Sequence, residues 1–153
     1  MGDIDNGKTM AKKFEDLEVW QKARAFCKTI RIFILRENMS KDFELRNQVN
    51  RSAGSIMDNI AEGYERNNNK EFIHFLYIAK GSAGESRSQL YRALDRDYIT
   101  QSEFDSAYEE SIIISKQLGN FITYLKESEM KGSKHVHSRD KDVPAEPIEF
   151  LNS

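Results

Sequence analysis

Pro144 and Pro147 are the only prolines of this 153-residue chain, so nothing in its first 143 residues breaks a helix by ring geometry. Folds of this size that are rich in β-structure punctuate their turns with Pro and Gly. An all-α single domain is therefore the expectation. The length suffices to bury a core and is short for a two-domain enzyme.

Composition narrows the function classes. Lys and Arg total 23 against 25 Asp and Glu, so no global field draws the molecule onto nucleic acid or an anionic membrane, and any such binding needs a local patch. Cys27, the single cysteine, falls in an apolar repeat, where a thiol behaves as a small hydrophobe. A reducing cytoplasm suits it. Residues Met1 to Lys13 lack an apolar core of the signal-peptide kind, and no apolar run reaches the ~18 residues of a membrane span.

Four amphipathic segments follow one another. The first, about Leu17 to Glu37 with Asp16 as its expected N-cap, places Leu17, Trp20, Ala23, Cys27, Ile30 and Ile34 on one face. A second row, Val19, Phe26 and Phe33, widens that face. The second segment, about Phe43 to Arg66, carries Val49, Ala53, Ile56, Ile60 and Tyr64 in register. Gly54 lies in its interior, which costs about 1 kcal/mol against Ala and predicts a packing reason. Asn67-Asn68-Asn69 marks a turn, and Asn68 with Glu71 resembles a capping box. The third segment, about Lys70 to Arg96, repeats Phe72, Leu76, Ala79, Ala83, Leu90 and Leu94. Thr100 and Glu103 form a second box that opens the fourth segment, about Gln101 to Lys126. Its seam, Phe104, Ala107, Ser111, Ile114, Leu118, Phe121 and Leu125, has one polar position.

Such helices are roughly 30 to 40 Å long, and connections this short force sequential neighbours to run antiparallel. The expected architecture is an up-down-up-down antiparallel four-helix bundle over residues 14–126. A flexible segment, 1–13, precedes it, and a mostly disordered tail, 127–153, holds both prolines and an apolar cluster at Ile148, Phe150 and Leu151.

Catalytic and metal readings are weak. Glu71-Phe72-Ile73-His74 is a Glu-x-x-His element of the kind di-iron bundles use twice, but it occurs once, and Glu71 is better explained as a capping residue. His135 and His137 in the tail are too few for a defined site. The sequence has no glycine-rich phosphate loop, and Cys27 has no recognisable base partner. No catalytic residue, cofactor or metal is expected.

The informative polar residues lie in the middle segments. Arg51, Ser55, Asn59 and Glu62 follow at steps of four, four and three beside an apolar row, and Ser82 and Glu85 flank core positions of the third segment. One reading is a buried polar layer in which Arg51 pairs with Glu62 or Glu85. The other is a solvated face with a boundary salt bridge.

At these residues a family likeness emerges. Gln48-Val49-Asn50-Arg51-Ser52-Ala53-Gly54-Ser55-Ile56 followed by Asn59-Ile60-Ala61-Glu62-Gly63 resembles the central signature of the four-helix-bundle proteins encoded in intervening sequences of bacterial 23S ribosomal RNA genes. Phe14-Glu15-Asp16-Leu17 with Val19 to Ala23 is similar to that family's opening. Glu71-Phe72, Phe75-Leu76, Ile78-Ala79 and Gly81-Ser82-Ala83 with Glu85 resemble its third-helix motif. The resemblance implies a bundle that assembles with itself, commonly as a pentamer, and a cellular role that is poorly defined. It also implies distant similarity to the accessory variability determinant of diversity-generating retroelements, a pentamer that binds nucleic acid and a reverse transcriptase. The second rows Val19, Phe26, Phe33 and Tyr108, Ile112, Ile122 exceed what one core needs and point to the same self-assembly.

Two functions remain. In the first, a non-enzymatic scaffold associates with RNA or DNA through Lys22, Arg24, Lys28, Arg31 and Arg36 of the first helix, a stripe multiplied by the subunit number. Against it, Glu103, Asp105, Glu109 and Glu110 balance these charges, and the slight net acidity favours that balance. The second is a scaffold for a protein partner, with no nucleic acid, which offers its surface or the Ile148-Phe150-Leu151 tail.

Overall fold

The computed structural model describes residues 11–132, and among these no strand occurs. A 3-10 turn, Phe14–Asp16, leads into α1 (Glu18–Ile34), a single-turn α2 (Glu37–Ser40), α3 (Phe43–Glu65), α4 (Asn69–Asp95) and α5 (Gln101–Gly132). Around the bundle α1 packs against α3 and α5, α3 against α4, and α4 against α5, which leaves α1 and α4 on a diagonal. The result is the antiparallel up-down-up-down bundle that the sequence pattern predicts.

Local chemistry sets the ends. Asp42 caps α3 by accepting from the Leu45 amide at 3.2 Å, and Asn68 caps α4 by accepting from the Glu71 amide at 3.1 Å. Thr100 and Glu103 form a reciprocal box: the Glu103 amide donates to Thr100 Oγ1 at 3.2 Å while the Thr100 amide donates to Glu103 Oε1 at 3.0 Å. Asn67 and Asp97, with φ of 52° and 59°, supply the left-handed turns that end α3 and α4. Asp16 is not the N-cap of α1. It closes the 3-10 turn, and Leu17, which has no polar side chain, takes the cap position.

Two boundaries move. The first segment stops at Ile34 rather than Glu37, because the chain turns at Leu35–Arg36 into α2. At the other end α5 runs six residues past Lys126 to Gly132. Good helix formers such as Glu127, Glu129, Met130 and Lys131 carry the backbone ladder on where the apolar seam has ended. The expected flexible segment, apart from Ala11 to Lys13, and the tail beyond Gly132 lie outside the described residues. Ala11 is tied down: its carbonyl accepts from the Tyr64 hydroxyl at 3.0 Å.

The core runs the length of the bundle, with Phe72 edge-on to Phe121 at 5.2 Å between ring centroids. Val19, Phe26 and Phe33, expected as surplus apolar surface, are 0%, 0% and 4% exposed, so the chain's own core takes them up. Ile122 is buried too, and Tyr108 and Ile112 are half-buried. The large apolar side chains that do face outward are others, chiefly Ile32, Leu35, Phe43 and Met130.

The two glycines of α3 differ. A Cβ at Gly63 would lie 2.6 Å from Phe75 Cβ and 2.9 Å from Phe72 Cδ2, so only glycine lets α3 and α4 approach there. A Cβ at Gly54 would meet nothing within 4 Å, and the packing reason expected for it is not found among the described residues.

Candidate functional site: a polar seam and a basic face

The seam between α3 and α4 brings together only part of the expected layer. Ser55 and Ser82 share a hydrogen bond of 2.9 Å across the helices, and Asn59 Nδ2 donates to the Ser55 carbonyl at 2.7 Å and to Ser55 Oγ at 2.8 Å. Arg51 is exposed and pairs with neither Glu62 nor Glu85. Glu62, also exposed, takes Arg66 one turn on at 3.0 Å, and the exposed Glu85 accepts from Gln89 Nε2 at 3.2 Å. The correction has a geometric cause. A step of four residues turns a row by about 40° around the helix, so Ser55 and Asn59 swing toward α4 while Arg51 and Glu62 stay outside. Neutral hydroxyls and amides can then be buried without the desolvation cost of a charge.

The buried members of the seam are residues that pattern reading passed over. Ser52 Oγ lies 2.8 Å from Ser86 Oγ and donates to Gln89 Oε1 at 2.6 Å, and all three residues are buried. Ser86 Oγ also lies 2.9 Å from the Ser82 carbonyl. Ser82, Ser86 and Gln89 step by four and three, the core spacing, which polar side chains disguise. Between α4 and α5, Arg87 Nη1 donates to Ser111 Oγ at 2.9 Å and Ser115 Oγ at 2.8 Å, and Ser111 Oγ donates to the Ala83 carbonyl at 3.2 Å. The one polar position of the α5 seam is thus an anchor for Arg87.

Among the described residues, Ser52, Ser55, Ser82 and Ser86 bond one another, Asn59, Gln89 and backbone carbonyls, and no His or carboxylate is hydrogen-bonded to these serines as a base. Burial, with the Asp58 charge as a lesser cause, pushes the half-buried Cys27 thiol up to about 11, so it stays protonated and unreactive at neutral pH. Glu71 and His74 are exposed, and among the described residues no group of three His, Cys, Asp or Glu side chains is placed to hold a metal. His135 and His137 lie outside the described residues.

The five expected cations divide between α1, which carries Lys22, Arg24, Lys28 and Arg31, and the turn after it, which carries Arg36. Lys22 pairs with Glu18 at 3.2 Å. Arg36 is turned inward onto α5, where it grips both carboxylate oxygens of Glu103 and reaches the Tyr98 carbonyl at 3.4 Å. That fork, followed by the Thr100 amide, holds the Glu103 carboxyl down at about 2. Arg24, Lys28 and Arg31 remain exposed, share one side of α1 and form no ion pair among the described residues; the Arg24 guanidinium lies 5.9 Å from the Trp20 ring centroid. Among the described residues the α5 acids expected to balance the stripe make no ion pair with it: Glu103 is taken by Arg36, Glu110 Oε1 takes the Thr29 hydroxyl at 3.1 Å, Asp105 accepts from Gln101, and Glu109 is exposed. Glu110 Oε2 is buried without a partner, and burial raises that carboxyl against the pull of Thr29.

Comparison with known proteins agrees with this architecture. None of the curated proteins matches the chain. Among solved structures, a Bacteroides thetaiotaomicron protein of unknown function from the S23 ribosomal protein family aligns with a TM-score of 0.63 and 30% identity, covering 68% of this chain and 97% of that one. The family of 23S rRNA-intervening sequence proteins matches residues 15–120, a span that takes in the polar seam, the basic face and all but the end of α5. With its signature residues built into the α3–α4 seam and most of the bundle inside the matched span, this chain belongs to the 23S rRNA-intervening sequence protein family.

Proposed function

We propose that this protein is a non-enzymatic helical scaffold that assembles with itself, as the resemblance to pentameric relatives implies, and that RNA or DNA docks on the outer face of α1. The observation that carries this reading is the split among the α1 cations. Lys22 and Arg36 are held by Glu18 and Glu103, whereas Arg24, Lys28 and Arg31 face solvent together with no acidic partner among the described residues. The contact set is therefore those three residues. With a net charge of -2, one subunit binds phosphates weakly, and a ring of stripes is what raises affinity. A family named for ribosomal RNA, and a neighbour classed with a ribosomal protein family, make structured RNA the first ligand to test.

A second reading, a scaffold for a protein partner, is favoured by Ile32, Leu35 and Phe43, which are 61%, 62% and 64% exposed. Filter binding to structured RNA across a salt series separates the two. The first expects saturable binding at low salt that weakens steeply as salt rises; binding no better than a neutral control protein sinks it. Light scattering tests the assembly: a mass well above 17.8 kDa is expected, and a monomer at micromolar concentration refutes it.

A further inference from the structure

Where α3 turns into α4, Arg66, Lys70, Glu71, His74 and Phe75 line an open cleft of about 310 Å³. Its apolar part is the half-buried Phe75, continued one turn beyond His74 by Ile78, which is 39% exposed. Its rim is basic. The Arg66 guanidinium lies 5.1 Å from the Phe75 ring centroid and is shared with Glu62, while Lys70 is exposed and makes no ion pair among the described residues. An apolar floor under cations suits a segment that alternates large apolar side chains with acids.

The chain holds such a segment. Lys126 sits over the Tyr77 ring at 5.0 Å, and six further residues, at about 1.5 Å each, carry α5 on toward the level where α4 begins. Twenty-one residues follow Gly132. From Asp142 onward they contain Asp142, Glu146 and Glu149, no Lys or Arg, and the apolar Ile148, Phe150 and Leu151. At about 3.3 Å per extended residue, the chain from Gly132 to Ile148 reaches up to roughly 50 Å, several times the ~10 Å diameter of a helix.

We infer that the Asp142–Leu151 segment docks into this cleft of its own chain, with Phe150 or Ile148 against Phe75 and Ile78 and its carboxylates toward Lys70 and Arg66. Docking the segment covers the apolar surface that α4 leaves open and neutralises Lys70.

Photocrosslinking of the full chain tests this, with a benzophenone amino acid in place of Phe150 and light and isotopically heavy chains mixed before irradiation. Crosslinks concentrated on residues 66–78 of the same chain are expected. Lys70→Glu should lower their yield about fivefold, the size of a partly exposed charge pair, while Lys116→Glu on α5 leaves it unchanged. Crosslinks scattered over the bundle, joined between light and heavy chains, captured by a co-purifying partner or absent altogether would each overturn the inference.

Discussion

The α3–α4 interface and the α1–α5 interface handle polar groups in opposite ways. Between α3 and α4 the fully buried crossing bonds, Ser52–Ser86 and Ser52–Gln89, are neutral, as is the half-buried Ser55–Ser82; charge enters at the half-buried Arg92, which donates to Gln48 Oε1 at 2.7 Å, while Arg51, Glu62 and Glu85 stand outside. Between α1 and α5 the crossing groups are charged: Arg36 grips Glu103, and Thr29 holds one oxygen of Glu110 while the other has no partner. Close packing explains the difference. Gly63 against Phe72 and Phe75 leaves no room to solvate a charge, whereas Arg36 and Glu103 keep side-chain exposures of 35% and 27%. Charge is kept out where helices touch most closely; between α1 and α5 it is either paired and partly exposed, as at Arg36–Glu103, or buried at a cost, as at Glu110 Oε2.

The sharpest way to break this contrast is at the closest approach. Gly63→Ala should cost about 3 kcal/mol in urea unfolding, since a methyl there overlaps Phe75 Cβ. Gly54→Ala, nine residues earlier on the same helix, should instead gain about 1 kcal/mol of helix propensity. Equal effects would mean that the two faces of α3 are packed alike. Next in size, Ser52→Ala should cost about 2 kcal/mol, because it leaves Gln89 Oε1 buried without its donor. A neutral result would remove the seam's role in stability.

The charged interface should reveal itself through pH. Glu103 is held at about 2, below its ordinary 4.5, so the stability it contributes is complete above about 4.5 and is lost as pH falls from there toward 2. Glu110, raised by burial, has the opposite sign: it weakens the fold once ionised and gives that stability back on acidification. Thermal melts of Glu103→Gln should therefore flatten the acid side of the profile, and those of Glu110→Gln should lift the neutral side. A Glu103→Gln profile as steep as the parent's would show that Arg36 does not hold the carboxylate. The smallest effect belongs to Arg51→Ala, within about 0.5 kcal/mol, as for an exposed side chain away from any network. A loss of several kcal/mol would return Arg51 to the interior.

Much of the bundle was legible because helix-forming periodicity and caps are local. Asn68, Thr100 and Glu103 announce their helix starts by spacing, and the apolar rows name most of the core. Three kinds of information were not local. Whether Val19, Phe26 and Phe33 meet a partner or their own core depends on the neighbouring helices, which sequence does not place. Ser52, Ser86 and Gln89 were passed over because hydroxyls and amides do not announce burial, although they can be buried once each has a partner. Arg51 misled for the complementary reason, since a row at steps of four drifts around the helix and leaves its charged ends in water. Lys22 and Arg36 fell out of the basic face for a simpler reason, being paired by Glu18 and by Glu103.

The central functional claim is that nucleic acid is held by what α1 leaves unpaired. Salt-dependent filter binding of structured RNA by an Arg24→Glu, Arg31→Glu double variant tests it directly, with Arg51→Glu as a control of equal exposure on α3. The account predicts at least about a tenfold loss of affinity at low salt and a salt slope reduced by about one per contact removed, with the control binding as the parent does. Undiminished binding by the double variant, or equal loss by Arg51→Glu, would contradict it.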